Sequence, residues 1–363
     1  MKSRPAGFGL IELMIAMALG LLVLAGVLVV FIAQRQVYQN STSQSLVQDA
    51  DNALSAVITP VVRGAGFTGC GSIGNGVIAY PAARKTPLTF NTSSAVQGFA
   101  ANAIPASLVD GTANDTTTTD WTPSLDASFV TAAVGGAAKG SDVLVLIGAP
   151  PGAAPVGATV FATGSITVNS SLGTSSAPFT PPNPPQLVAV SDCGKSSIFQ
   201  VNSATTVAPI VLTYTLGPNG TPLYPVSSQV IPIQQTAFYV AQGHAGQSAL
   251  FEAVMQIPAG GTAATATWGT PNEVVPGVLN MEVLYGTGVQ GQATQYVKAS
   301  AVTNWAAVTT IKLGFLVEGN PSSSTASTNQ TSFPLFANTL VVPADSRLRH
   351  TFYLTVNARN GTL

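Results

Sequence analysis

One carboxylate stands where a carboxylate is costly. Glu12 opens an apolar run, and the 22 residues from Leu13 to Gln34 carry no charge. A helix of that length crosses the roughly 30 Å hydrocarbon core of a bilayer. An acidic side chain at the lip of such a helix must meet a cation, so it reads as functional by default. Lys2 and Arg4 precede the run, with Gly7 and Phe8 between. Elsewhere, residues suited to catalysis are sparse. The two histidines are His244, in AQGHAGQS, and His350, in an alternating apolar run. Glu252, Glu273, Glu282 and Glu318 are unpaired in sequence and suggest no acid/base dyad. Asp110, Asp115 and Asp120 lie in DGTANDTTTTD, without the tight spacing and closing glutamate of a calcium loop, and read as a solvated loop. Arg347 and Arg349 beside Asp345 read as an exposed charge cluster. No GxSxG, P-loop, HExxH or dinucleotide-binding glycine pattern occurs in a suitable context. No enzyme, catalytic residue, cofactor or metal site is expected.

The N-terminal residues MKSRPAGFGLIELMIAMALGLLVLAGVLVVFIAQRQ resemble the class III leader of type IV prepilins and pseudopilins. A secretory signal has its small-residue cleavage site after the apolar stretch, whereas here the apolar stretch follows the glycine. The resemblance implies that a prepilin peptidase cuts after Gly7 and that Phe8 becomes an N-methylated terminus. Glu12 is then the fifth mature residue. The new amine, with a pKa of about 8, is mostly cationic at neutral pH. It would pair with Glu12 within one subunit or between neighbours, and spacing alone leaves both open. Ala16, Gly20, Ala25 and Gly26 let helices approach closely. Lys2 and Arg4 place the leader in the cytoplasm, so the chain beyond about Arg35 is expected in the periplasm. Many major pilins carry a proline where this chain has Val29, which favours a minor subunit. An ordinary membrane anchor is the plainer alternative.

The elements that must position Glu12 come next. The apolar helix continues as an amphipathic stripe, with Val47, Ala50, Leu54, Val57 and Val61 recurring every three or four residues. Pro60 costs about 3 kcal/mol inside a helix, so the spacing predicts an end or kink just before it. The expected parts are a leader at 1–7, a transmembrane and assembly helix at 8–34, its amphipathic continuation at 35–62, and a β-rich domain at 63–363. Residues 71–140 and 149–185 are rich in Gly, Ala, Ser, Thr and Pro and read as loops or connectors around one buried strand, SDVLVLIG (141–148). Period-two alternation marks TIKLGFLVEG and HTFYLTVNAR as half-buried antiparallel strands. Further strands are expected at 195–203, 208–216, 235–242, 249–257 and 279–286, and a loop at 320–332.

The chain of 363 residues is 46% hydrophobic and 7% charged, with formal net charge −1. It can bury a sizeable core, and it has no electrostatic footprint for nucleic acid. Its two cysteines, Cys70 and Cys193, make a disulfide if the domain is exported, with free buried thiols as the alternative. A loop of that length would contribute about 4–5 kcal/mol at most. Two sulfurs without nearby histidines make a poor zinc site.

Five blocks in order, RGAGFTGCG, DCGKSSIFQV, VVPGVLNMEVLYG, YVKASAVTNWAAVTTIKLGFLVEG and DSRLRHTFYLTVNARN, are similar to PilW-type minor pilins. The resemblance pairs Cys70 with Cys193. It implies an α+β fold, a long N-terminal helix packed on antiparallel β-sheet in a pilin or J-type pseudopilin-like domain. It also implies a role in pilus assembly and priming from a tip complex, supporting twitching motility. Implied partners are other minor pilins, the major pilin, the prepilin peptidase and, before assembly, inner-membrane lipid. A type II secretion pseudopilin and a pilus-tip adhesin are the alternative functions.

Overall fold

The computed structural model describes residues 9–70, 73, 78–79, 94–130, 134–161, 164–169, 179, 186–206, 209–214, 223–256, 267–289, 292–319, 330–345 and 347–358. One helix, α1 (Leu10–Gly64), is followed by strands β1 (Ile78–Ala79), β2 (Val96–Ala101), β3 (Trp121–Thr122), β4 (Val143–Gly148), β5 (Val156–Phe161) and β6 (Ser165–Asn169). Then come β7 (Leu187–Ser191), β8 (Ser196–Ala204), β9 (Ile210–Tyr214), the long β10 (Tyr224–Gln242), β11 (Ser248–Gln256), β12 (Thr267–Trp268) and β13 (Asn272–Pro276). The chain finishes with β14 (Val278–Val289), β15 (Gln292–Val297), β16 (Val308–Glu318), β17 (Ser332–Leu335), β18 (Asn338–Val341) and β19 (Arg349–Asn357). The molecule is α+β.

Residues 9–38 of the chain are exposed throughout. Burial of α1 begins at Ser43 and continues at Val47, Ala50, Leu54, Ile58, Val61 and Val62, a single stripe of helical period. That stripe packs chiefly on β19, with β13, β16 and β4 beside it. The helix does not stop at Pro60 but runs on to Gly64. Pro60 faces solvent, while Ile58, Val61 and Val62 around it are buried. Burying each such side chain is worth about 1.5–3 kcal/mol, so together they outweigh the roughly 3 kcal/mol of an interior proline.

Two antiparallel sheets share the main core with α1. In the first, β2, β4, the C-terminal half of β10, β11 and β13 lie side by side, extended by β3 and β12. The second has the order β15-β14-β16-β19. Leu54 and Ile58 of the helix, Phe238 and Leu250 of the first sheet, and Val283, Leu313 and Phe315 of the second belong to one continuous apolar cluster. The β17–β18 hairpin adds a smaller cluster of Leu316, Phe333, Leu335 and Leu340.

The segment 149–185, read as a connector, contributes β5 and β6 to a third unit, which also takes in β8 and β9 at the strands expected over 195–203 and 208–216. The N-terminal half of β10 pairs with β5, β5 with β6, β6 with β9, β9 with β8, β8 with β7, and β7 returns to β10. These six strands close an antiparallel barrel. Its interior is filled by Val156, Ala158, Val160, Ile166, Val168, Val188, Val190, Phe199, Ile210, Leu212, Tyr224 and Val230, a core separate from the main one. The wall made by β7, β8 and β10 turns Leu187, Ala189, Ile198, Ile231 and Ile233 toward the main core. The barrel thus leans on the sheets and shares β10 with the first.

Candidate functional site

At the start of α1, Glu12 lies one turn into the helix. The Gly9 N–H donates to its Oε2 at 3.2 Å, and the Glu12 N–H returns to the Gly9 carbonyl at 3.1 Å. The carboxylate therefore already reaches back toward the chain entering the helix, to an N–H that would otherwise lack a partner. Gly7 and Phe8, the expected cleavage and methylation residues, lie outside the described residues. The helix behind Glu12 is long and apolar enough to cross a membrane, and none of its apolar window is buried. A side chain on such a helix is carried at a fixed height relative to the domain, because α1 is continuous from the apolar half to its packed half.

The far end of α1 is stitched down. Ala65 bridges to Gly148 at the end of β4, and β1 runs parallel to β8 of the barrel. Cys70 and Cys193 form a disulfide between the chain leaving α1 and the β7–β8 turn. Thr68 Oγ1 donates to Ser196 Oγ at 3.3 Å across the same seam.

Some of the charge in this sparsely charged chain is buried inside the domain, at Asp142, Glu282, Glu318 and Arg349. Arg347 and Arg349 do not form an exposed cluster; only 2% of the Arg349 side chain is exposed. Arg349 grips Asp345 with two bonds, at 2.7 and 2.6 Å, and donates through Nε to Glu318 at 3.1 Å. Arg347 donates to Glu318 at 2.7 Å and to Asp110. Asp110 also accepts the Ser248 N–H at 2.6 Å. Asp110 is therefore not in a solvated loop: its segment is pinned between β11 and the C-terminal strand region. Burial opposes charge on Asp110, yet the Ser248 N–H and Arg347 hold its carboxyl below the usual range. Burial, then the Asp110 carboxylate, push Glu318 up to about 7 against the pull of the two guanidiniums. Asp115 and Asp120 likewise hold Lys139, at 3.6 and 3.2 Å.

A second buried carboxyl, Asp142, accepts the N–H groups of Ala101 (2.9 Å) and Val283 (2.8 Å), tying β2 to β14. Burial raises it to about 7. The histidines lie apart: His244 Nδ1 meets Glu273 at 2.8 Å on an exposed turn, and His350 Nε2 lies 3.7 Å from Asp51 of α1. Glu282 contacts Asn338 at 2.7 Å, and Glu252 sits on β11 half-exposed. These arrangements clamp strands and loops together. Sequence reasoning missed the Asp110–Arg347–Glu318–Arg349 clamp. The available signal was that four of so few charged residues adjoin apolar strands.

The C-terminal part, residues 237–360, matches the family model described as Type IV Pilus-assembly protein W. Residues 2–28 match the prokaryotic N-terminal methylation motif. No curated protein and no solved structure matches the chain. The first match takes in the C-terminal part of β10, β11 through β19, and the Glu318, Arg347 and Arg349 clamp. The second takes in Gly7, Phe8 and Glu12. With an exposed apolar helix under the methylation motif and a clamped β-domain under the pilus-assembly model, the chain carries the prokaryotic N-terminal methylation motif at 2–28 and over 237–360 is similar to Type IV Pilus-assembly protein W.

Proposed function

We propose that this chain is a minor pilin that enters a tip complex with other minor pilins and primes assembly of the filament built by the major pilin. In this reading a prepilin peptidase removes residues 1–7 and Phe8 is methylated. The domain waits on the periplasmic side, with α1 in the inner membrane. Glu12 then meets the amine of Phe8, its own or that of a neighbour. Pairing lowers the cost of holding either charge in a poor solvent, and loss of one leaves the other uncompensated. The observation that supports this most is the exposed apolar half of α1, with a single carboxylate at its entry, running unbroken into the packed half. Pilus function in surface motility follows from a role in priming.

Mass spectrometry of the processed chain should give methylated Phe8 as its first residue. Glu12→Ala should still insert and be cleaved, but recovery in sheared filaments should drop by about tenfold or more, the loss of one buried pairing. Normal incorporation of that variant, or persistence of Met1 through Gly7 in the working form, rejects the proposal.

A further inference from the structure

Helix α1 is seated on the domain by apolar side chains, and among the described residues one charged pair crosses that seam. His350 Nε2 of β19 lies 3.7 Å from Asp51 Oδ2, on the stretch of α1 whose Ala50 and Leu54 are buried. Leu348, Phe352, Leu354 and Val356 pack into the main core, so alternation along β19 turns His350 to the same side. Arg349 points the other way, to Glu318 and Asp345. The two partners differ in surroundings. The His350 side chain is 53% exposed and that of Asp51 only 20%. The second Asp51 oxygen, Oδ1, is buried and has no hydrogen-bond partner among the described residues. Burial raises the Asp51 carboxyl, and His350 pulls it back.

Other ionisable groups on the elements packed against α1 are committed elsewhere. Lys312 of β16 sits over the Tyr296 ring, 3.7 Å from its centroid. Glu318 is held by Arg347 and Arg349, and Glu273 of β13 meets His244. Strand β4 carries no ionisable side chain. On α1 itself, Asp49 is exposed beside a cavity that Glu318 also lines, and Arg63 is exposed near the end of the helix. His350 is therefore the group whose charge can answer that of Asp51. Histidine changes charge between about pH 5 and 8. While the imidazole is neutral, seating α1 holds a carboxylate partly out of water with one oxygen unpaired, which is costly. A proton on the imidazole supplies the missing counter-charge, and a proton on the carboxyl removes the charge altogether. Either way the seated helix holds protons more tightly than the free one. Seating is thus favoured on acidification and weakens as pH rises through the histidine range.

We propose that His350 and Asp51 form a proton-operated latch between the anchoring helix and the β-domain, closing on acidification. It stands apart from the assembly reading; only its bearing on how firmly Glu12 is carried into a filament rests on that reading. The test uses the full-length chain in detergent micelles and hydrogen-exchange protection factors, which remove the intrinsic pH dependence of exchange. Protection over residues 43–62 of α1 should rise between about pH 7.5 and 6.0. In His350→Gln that rise should be smaller by about two- to fivefold, the scale of a partly exposed ion pair. Protection in β14 should change equally in both chains, which also shows that the variant folds. His350→Lys, with a fixed cation, should keep α1 at the acid level at both pH values. In the Asp51→Asn background, His350→Gln should make no further difference. The proposal is overturned if wild type and His350→Gln rise alike, if His350→Lys follows His350→Gln, or if β14 loses as much protection as α1. The last result would make the pair a contribution to global stability and not a latch on the helix. A chain that shows the latch yet stays out of filaments would reject only the assembly reading.

Discussion

Asp142 illustrates what a single buried carboxyl does to this fold. It sits between two backbone donors, Ala101 on β2 and Val283 on β14, and is raised to about 7 by burial. A folded-state pKa above the unfolded one means that the folded state holds the proton more tightly. The contribution to stability is then full below about pH 4 and is lost as pH rises through about 7. Glu318, also raised to about 7, acts in the same direction. Asp110 and Asp345, both lowered, oppose it only below the ordinary carboxylate range. Denaturant unfolding of the detergent-solubilised chain should therefore show stability increasing on acidification from pH 7 to pH 5. Asp142→Asn should flatten that slope and, because its NH2 faces one of the two N–H donors, cost about 1–3 kcal/mol. A variant with an undiminished slope would assign the pH dependence elsewhere. Residues of this kind differ in how well the sequence announces them. Glu12 is legible because its environment is local: one charge in an apolar run. Asp110 is not, since its partner Arg347 lies 237 positions away and nothing near either residue points to the other.

Elements were legible where one periodicity ran undisturbed. The alternating run at β19 and the stripe on α1 are the half-buried strand and buried helix face that the pattern predicts; β16 is a strand too, but buried on both faces, because the β17–β18 hairpin covers its second face at Leu316. α1 runs on past Pro60 to Gly64, because the burial of Ile58, Val61 and Val62 offsets the proline's local cost. With Pro60 on the solvent face, Pro60→Ala restores a backbone N–H to the ladder without touching the core. It should stabilise the chain by about 1–3 kcal/mol in the same unfolding measurement, with no change in disulfide formation. Destabilisation would mean that the proline is needed to steer the chain into the Ala65–Gly148 bridge. The strand β10 was underestimated for a related reason, as only 235–242 reads as strand. Pro225 falls in the irregularity between Tyr224 and Ser228. Pro232 pairs with Val188 of β7 on one side, and on the other falls where β10 has left β5, after Val230, and has not yet joined β4, at Gln234. A proline in a strand is tolerated at such breaks in pairing, and only the sheet order reveals them.

At the scale of the whole molecule, two cores share one strand of 19 residues, and a covalent link closes the frame. Barrel closure depends on pairings between segments far apart in the sequence, which is why loop-like composition hid it. The disulfide joins the exit of α1 to the barrel, not to the two sheets. Its removal should therefore loosen the barrel first. For a separation of 123 residues the chain-entropy model gives about 4–5 kcal/mol as an upper figure. The double variant Cys70→Ser, Cys193→Ser keeps the interior side chains of both cores, and the main core retains the burial of α1 against β19 and the Arg349–Glu318 clamp. Hydrogen exchange on that variant should show amide protection falling in β5, β6 and β9 while β14 and β16 keep theirs. Native-state exchange resolves such units when their opening free energies differ. Equal losses in both sets would mean that β10 couples the barrel and the sheets into one cooperative unit. The barrel would then be part of the frame that carries α1, and not a module that the frame presents.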